Sequence, residues 1–374
     1  MPPSPDPTQN WFRLENEAEV ASPAVLIYPD RVAENLRRLI ALAGGADRLR
    51  PHVKTHKLPQ LVRMKLEAGI GKFKTATIAE AEMTAGAGGP DVLLAVQPVG
   101  PNVLRLLSLI ERFPTTRFSA VVDDADAAKA IAAAAVARNL SVPLLVDLDV
   151  GMGRTGIAVD AAASLYRLLA ETPGIEAAGL HAYDGHLHDV DEHRLRTAAA
   201  GAFAAVLRLR DALRSDGLAV PAIIAGGTPT SRFLAEHLEV ELGAGTPLLW
   251  DAGQAETSPD LDFLNAAVLL CRVISRPRPG RLCLDLGHKA VASEMPQPRV
   301  RLLGIPDARA VMHSEEHLVI ESADAAHYRV GDVIYAVPRH VCPTVALHSE
   351  VWCVRDRRAI EAWPVIARAR RITV

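Results

Sequence analysis

The run Arg50-Pro51-His52-Val53-Lys54-Thr55-His56-Lys57 follows an amphipathic helical pattern at residues 31–43 and ends a short apolar strand. This position predicts that Lys54 lies at the C-terminal tip of the strand with its amine in a pocket. Neighbouring cations and partial burial both disfavour the ammonium form of a lysine. Lys54 is therefore predicted to be a nucleophilic amine that can form an imine. A solvated basic loop is the alternative.

The same strand signal recurs through the first two thirds of the chain, with helical patterns in most of the gaps. The strand-like runs lie at residues 49–53, 72–75, 92–95, 118–122, 144–148, 175–181, 222–225 and 240–242. Eight strands alternating with helices are typical of a closed parallel (β/α)8 TIM-like barrel. An open doubly wound sheet is the alternative, but no G-x-G-x-x-G fingerprint follows the first strand.

The pattern changes near residue 263, where helical periodicity largely stops. Strand-like runs at residues 266–274, 281–286, 318–321, 333–337 and 351–354 are separated by proline and glycine. This pattern predicts a smaller, mostly antiparallel β domain at residues 263–374, after a barrel at residues 21–262. Residues 1–28 include an early strand-like run at 24–27 that can pack on this second domain.

The composition narrows the classes of partner. The chain has 374 residues, of which 49% are hydrophobic and 23% are charged, and its formal net charge is -3. Such a chain can bury a large core. It has no broad positive electrostatic field, so we expect it to bind neither nucleic acid nor anionic membranes. The proline-rich N-terminus does not resemble a signal peptide, and the four cysteines form no disulfide-like framework. We therefore expect a cytoplasmic protein.

Two glycine-rich loops follow the last two predicted barrel strands. In such barrels the active site lies at the C-terminal ends of the strands, and a phosphate often binds after strands seven and eight. Gly226-Gly227-Thr228 and Gly243-Ala244-Gly245-Thr246 occupy these positions, with backbone N–H groups and hydroxyls that can hold a phosphate. An imine-forming lysine and a phosphate site together indicate pyridoxal 5'-phosphate.

An ordered set of motifs resembles the D-threonine aldolase and D-serine dehydratase family, which belongs with the alanine-racemase-like, fold type III enzymes. The resemblance runs from about residue 21 to the C-terminus. The segments that carry it are residues 50–57, Lys74-Thr75-Ala76-Thr77-Ile78-Ala79-Glu80, Gly151-Met152-Gly153-Arg154-Thr155-Gly156, Gly226-Gly227-Thr228, Ser314-Glu315-Glu316-His317 and His340-Val341-Cys342-Pro343-Thr344.

The resemblance implies a role for several single residues. Lys54 is expected to carry the cofactor and to accept the proton at Cα. Arg154 is expected to touch the cofactor ring or its O3' side, and Tyr183 to pack or hydrogen-bond near the ring. His186 and His188 are candidates for a base or for groups around a metal, and which of them faces inward is left open. Ser314 to His317 matches the family, but no role follows from it.

His340 and Cys342 are the predicted metal pair. In an extended segment, side chains two residues apart point the same way, so imidazole and thiolate can converge on one cation. Two protein ligands leave positions open for water and for the β-hydroxyl of a substrate. A thiolate ligand favours zinc over manganese or magnesium.

The resemblance implies a lyase that acts on small 3-hydroxy D-amino acids, and three reactions remain open. D-threonine aldolase, which yields glycine and an aldehyde, is favoured because residues 340–347 and the Tyr183 loop look like the aldolase branch. A D-serine or 3-hydroxy-D-aspartate dehydratase is the alternative, because the His-Cys pair resembles the zinc-binding dehydratases. A racemase would need a second acid, for which Tyr328 and Tyr335 are the candidates; a non-catalytic cofactor carrier would not need the long β domain. The family also implies a homodimer.

Overall fold

The structure, a computed structural model, describes residues 10–371 and residue 373. It divides into two compact units. The barrel unit comprises Leu36–Pro247 and the described residues from 369 onward. The β unit comprises the described residues up to Asn35 together with Leu248–Arg368.

Seventeen strands are found among the described residues. They are β1 Ala24–Ile27, β2 Lys72–Thr75, β3 Asp91–Leu94, β4 Arg117–Val122, β5 Val142–Asp149, β6 Ile157–Ala158, β7 Ile175–Ala182, β8 Ala222–Ala225, β9 Val240–Leu242, β10 Ala267–Ser275, β11 Arg281–Leu284, β12 Val300–Leu303, β13 Arg309–His313, β14 Leu318–Glu321, β15 Val333–Pro338, β16 Glu350–Arg355 and β17 Arg358–Pro364.

Ten α-helices accompany these strands in the described part of the chain. They are α1 Pro29–Ala43, α2 Pro59–Glu67, α3 Ile78–Gly86, α4 Pro101–Arg112, α5 Ala125–Val136, α6 Ala162–Glu171, α7 Glu192–Ser215, α8 Ser231–Leu234, α9 Ala252–Thr257 and α10 Val341–Leu347. Among the described residues, none of the helices has the length and apolar character that a membrane span requires.

The barrel unit is built on a curled parallel sheet in the order β2-β3-β4-β5-β7-β8-β9, and β6 pairs with β5. Seven of the eight predicted runs are these strands. The first run, residues 49–53, contributes isolated parallel bridges instead, from Leu49 to Leu242 and from His52 to Lys74. These bridges join β9 to β2. Pro51 has no N–H for a ladder, which accounts for the missing strand assignment. The predicted alternation of parallel strands and helices is confirmed.

The β unit contains a nine-stranded, mostly antiparallel sheet. Its central strand β10 pairs antiparallel with β1, β11 and β15, while β1 also pairs in parallel with β16. One face of this sheet packs on aromatic side chains of the N-terminal segment, including Phe12 and Tyr28. The early strand at residues 24–27 is thus part of this sheet. The predicted β domain fold is confirmed.

Candidate active site

Lys54 follows the two β-bridges made by residues 49–53, at the edge of the barrel sheet where the parallel strands end. It is the middle residue of the one-turn 3-10 helix Val53–Thr55, and its backbone N–H donates to Nδ1 of His52 over 3.3 Å. Its neighbours Val53 and Thr55 are buried, whereas Lys54 is half-buried. Its amine is 5.7 Å from the centre of the Tyr183 ring. The turn therefore directs Lys54 toward the barrel mouth.

Three cationic side chains surround the ring of Tyr183, which follows β7. The guanidinium carbon of Arg154 lies 4.9 Å from the ring centre, the amine of Lys74 lies 5.3 Å from it, and the amine of Lys54 lies 5.7 Å from it. The structure thus brings together Lys54, Arg154 and Tyr183, which the sequence analysis had singled out. It adds Lys74, for which the sequence analysis had no role. The available signals were its place in the strand-like run 72–75 and at the start of the motif at residues 74–80.

A buried hydrogen-bonded pair lies in the same unit. Nδ1 of His181 is 2.6 Å from Oδ1 of Asp147, and Thr155 donates to the other oxygen of this carboxylate over 3.0 Å. Burial lowers the pKa of His181 although Asp147 opposes that effect. Nε2 of His181 is buried and has no hydrogen-bond partner among the described residues. In the sequence, His181 is only the last residue of the strand-like run 175–181, and its pairing with Asp147 was not predicted.

The glycine loops lie where the sequence placed them, but their hydrogen bonds are partly used within the protein. The N–H of Gly226 donates to the Ala182 carbonyl over 3.2 Å, and that of Gly227 donates to the Asp184 carboxylate over 2.6 Å. Thr228 is buried, and Thr246 begins the 3-10 turn Thr246–Leu248.

Gly245 packs directly against the Lys54 turn. A Cβ atom at Gly245 would lie 2.5 Å from the carbonyl oxygen of His52 and 2.8 Å from the hydroxyl of Thr55. A side chain at this position would therefore displace the turn. Glycine-containing loops in the same unit as the cationic side chains around Tyr183 fit an anionic, phosphate-bearing cofactor better than a neutral ligand.

The structure separates the two candidate histidines by their exposure. His186 is half-buried, and its Nε2 faces Gly151, where an added Cβ would lie 3.0 Å away. Its Nδ1 is buried without a hydrogen-bond partner among the described residues. His188 is exposed. His186 thus lies against the loop after β5, which also carries Arg154.

The predicted geometry of the metal pair is wrong, although the two side chains do meet. Cys342 does not lie in an extended segment: it is the second residue of α10, and His340 is the N-cap residue of this helix. Pro343 fits the first helical turn, where its missing N–H costs nothing. A hydrogen bond joins the side chains of His340 and Cys342. The turn from strand to helix, rather than strand alternation, brings them together.

The carboxylate of Glu294 completes the surroundings of His340. Its Oε1 lies 2.5 Å from Nδ1 of the imidazole. Burial works against the charged imidazole, but the hydrogen bond and charge of Cys342, together with Glu294, raise the pKa of His340 to about 9. No group of three or more His, Cys, Asp or Glu side chains suited to a metal occurs in the described ranges. An imidazole oriented by a carboxylate, next to a thiol, fits a two-ligand metal site.

The two tyrosines that a racemase could use are both engaged within the β unit. The hydroxyl of Tyr335 accepts from the N–H of Leu14 over 3.0 Å and donates to Glu17 over 2.8 Å, and its side chain is 2% exposed. The hydroxyl of Tyr328 lies 3.4 Å from the Gly304 carbonyl. Tyr335 therefore offers no accessible acid in this unit, whereas the hydroxyl of Tyr328 is exposed.

Known proteins resemble this chain over most of its length. A model of the alanine racemase N-terminal domain matches residues 27–245, and a model of a serine dehydratase domain matches residues 266–354. D-threonine aldolase from Arthrobacter sp. is 32% identical over 361 residues, which are 94% of this chain and 93% of that protein.

Solved structures also resemble nearly the whole chain. The crystal structure of D-threonine aldolase from Filomicrobium marinum has a TM-score of 0.87 at 29% identity, and the match covers 94% of this chain and 97% of that one. D-threo-3-hydroxyaspartate dehydratase from Delftia sp. HT23 has a TM-score of 0.82 at 25% identity, covering 93% of this chain and 98% of that one.

Proposed function

We propose a function on the ground that this chain belongs to the alanine racemase-like family of enzymes. It is a pyridoxal-phosphate-dependent lyase of 3-hydroxy D-amino acids, and the reaction that we assign is D-threonine aldolase cleavage to glycine and an aldehyde. The observation that carries this proposal is the convergence of Lys54 and Arg154 on the ring of Tyr183 at the barrel mouth. The relative from Arthrobacter, similar over nearly the whole chain, supports the choice of reaction.

Residues of the barrel unit would hold the cofactor. Lys54 would bind its aldehyde carbon, Arg154 and Tyr183 would lie along its ring, and the loops at Gly226–Thr228 and Gly245–Thr246 would surround its phosphate. When bound, pyridoxal phosphate supplies an electron sink for the pair left on Cα of the substrate. Lys54 and Tyr183 are half-buried, which strengthens charge contacts made there, whereas Arg154 is exposed.

Two groups of the chain can move the protons that the aldol cleavage requires. A base must take the proton of the β-hydroxyl while the Cα–Cβ bond breaks, and an acid must then return a proton to Cα. We assign the return step to the amine of Lys54. We assign the hydroxyl proton to His186 rather than His188, because His186 is half-buried against the Arg154 loop whereas His188 is exposed.

A divalent metal belongs to the proposal through His340 and Cys342. The support is the carboxylate of Glu294 on Nδ1 of His340, an arrangement that orients ligating histidines in many metal proteins. We propose zinc, because a thiolate ligand favours it over manganese or magnesium. A cation with open positions supplies Lewis acidity toward an oxygen ligand.

A dehydratase is the second candidate, and one observation favours it. The structure of D-threo-3-hydroxyaspartate dehydratase superimposes nearly as well as that of the aldolase. In this reaction Lys54 would remove the proton at Cα and hydroxide would leave from Cβ, giving a 2-oxo acid and ammonia.

Product analysis separates the two reactions. The protein would be incubated with pyridoxal phosphate, zinc or manganese, and D-threonine, with L-threonine as the matched control. Glycine and acetaldehyde are expected. 2-oxobutyrate and ammonia would instead establish the dehydratase. If neither pair of products formed with zinc or with manganese, the lyase assignment would be overturned.

We also propose a homodimer and a cytoplasmic location. The dimer is supported by the family, in which sites are usually completed across subunits, and sedimentation of the cofactor-loaded protein tests it. The location is supported by the cysteine pattern of the sequence.

A further inference from the structure

Lys74 is a buried lysine that the proposed reaction does not use. It lies in β2 with 2% of its surface exposed, and its amine faces the ring of Tyr183. Burial, followed by the charge of Lys54, lowers the pKa of Lys74 to about 7. A lysine is seldom buried in this way unless its amine serves a partner.

Gly243, the first residue of the second glycine loop, leaves the space that this amine occupies. A Cβ atom at position 243 would overlap with Nζ of Lys74 and would lie 3.4 Å from the carbonyl oxygen of Gly226. The backbone of Gly243 is not in the left-handed region, so its conformation does not require glycine. The lack of a side chain therefore serves to admit the lysine beside the two loops.

The charges around Lys74 leave it without an anion of its own. The groups that act on it or respond to it are Lys54, Arg154, Asp147, Asp184, His52 and His181. Both carboxylates already accept hydrogen bonds, Asp147 from Thr155 and Asp184 from Gly227. Within the described residues, the amine of Lys74 makes no hydrogen bond or ion pair and has only the face of Tyr183 as a cation–π partner. A cluster with three cations and two engaged carboxylates favours an added anion.

We propose that Lys74 is a second cofactor-contacting lysine. Its amine, which occupies the space that Gly243 leaves open, donates a hydrogen bond to an acceptor atom of pyridoxal phosphate. This inference rests on the proposed function, because it requires the cofactor at Lys54. The phosphate oxygens and the ring nitrogen are the acceptors of suitable chemistry. Pyridoxal, which lacks the phosphate, separates them.

The test compares two buried lysines of the barrel unit. Lys74→Met removes the proposed contact, and Lys65→Met is the matched control, because Lys65 is also fully buried with a pKa of about 7 but hydrogen-bonds to His56. Affinity for pyridoxal phosphate would be measured from the absorbance of the lysine-bound cofactor. A charge-assisted contact predicts a loss of about tenfold to a hundredfold for Lys74→Met, and little change for Lys65→Met.

Pyridoxal then identifies the acceptor. Unchanged pyridoxal affinity in Lys74→Met would assign the contact to the phosphate, whereas an equal loss for both ligands would assign it to the ring. Either result supports the inference. Wild-type affinity of Lys74→Met for pyridoxal phosphate, or an equal loss in Lys65→Met, would overturn it.

Gly243→Ala provides an independent second variant. The added methyl group should displace the amine and weaken cofactor binding in a wild-type background, but should cost little more in the Lys74→Met background. Additive losses in the double variant would contradict the shared space. If the wild-type protein itself bound no pyridoxal phosphate, the proposed function would fail. If the wild-type protein bound it and the variants bound it with the same affinity, the inference about Lys74 alone would fail.

Discussion

Glu294 is the residue at which the metal proposal is most directly testable. Its carboxylate is 2.5 Å from Nδ1 of His340 and would hold the imidazole with Nε2 available to a cation. Glu294→Gln and Glu294→Ala are expected to weaken zinc binding by about tenfold to a hundredfold. Competition with a coloured chelator measures this affinity without reference to activity.

Two further variants make the measurement specific. Cys342→Ser, which alters a proposed ligand, should lose more affinity than either Glu294 variant. Glu316→Gln changes an exposed glutamate of the same unit that lies 3.8 Å from Lys289, and should bind zinc normally. Zinc affinity of Glu294→Ala equal to that of Glu316→Gln would remove the orienting role.

Some residues of the candidate site could be predicted from the sequence and others could not. Lys54 and Arg154 stand in motifs, so their positions at strand ends were predictable. Lys74 begins the motif at residues 74–80 but was assigned only to the short strand Lys72–Thr75, and His181 lies in the mostly apolar strand Ile175–Ala182; strand periodicity alone gives neither residue a role. Only the three-dimensional packing shows that Lys74 enters the space at Gly243 and that His181 is paired with Asp147.

At the level of elements, one carboxylate caps two helices of the β unit. Asp251 accepts from the N–H of Gln254 in α9 and from the N–H of Val341 in α10, both over 2.8 Å. Each cap is worth about 1 kcal/mol. Asp251→Ala should therefore destabilise the β unit by ~2 kcal/mol.

Tryptophan fluorescence is a suitable probe for this prediction. The four tryptophans of the chain, at positions 11, 250, 352 and 363, all belong to the β unit. Urea denaturation followed by this signal should shift to lower urea in Asp251→Ala. Asp124→Ala removes the single cap of α5 in the barrel unit and should leave the signal unchanged. Coincident wild-type and Asp251→Ala curves would show that the caps contribute nothing measurable.

Two elements depart from the prediction for local reasons. The first barrel run forms bridges rather than a strand because Pro51 cannot donate to a ladder. The segment after His340 forms α10 because proline in a first helical turn is favourable and because Asp251 and Thr344 anchor this turn. A spacing of two residues brings side chains together in a strand but not inside a helix. The contact occurs here because His340 is the N-cap residue, whose backbone is extended, and Cys342 lies in the first turn of α10.

At the level of the whole molecule, Lys65 should make the stability of the barrel unit depend on pH. Burial lowers its pKa from 10.5 to about 7, so between these values the unfolded chain binds more protons than the folded one. Stability from this group therefore rises as pH increases from 7 to 10.5 and is lowest below pH 7. The full effect is on the order of 5 kcal/mol.

Lys65→Met should remove this slope. Urea denaturation at pH 7 and pH 9.5, followed by helical circular dichroism, should show wild type gaining stability relative to Lys65→Met as pH rises. Lys65→Met also removes the hydrogen bond to His56, which lowers the free energy of unfolding of the variant equally at both pH values. The informative quantity is therefore the difference between the two pH slopes. Lys129→Met, at an exposed lysine, is the control. Parallel pH profiles for wild type and Lys65→Met would show that Lys65 is not neutral in the folded state.

The sequence by itself determined the alternation of strands and helices, the second β-rich region and the motif residues at strand ends, because periodicity, turn residues and loop chemistry act over a few residues. Only the tertiary structure decided which polar groups meet. Lys74 reaches the space left by residue 243, Glu294 reaches residue 340, and Asp251 joins α9 to α10, each across a long stretch of chain. Such contacts depend on the packing of whole elements, which no local pattern encodes.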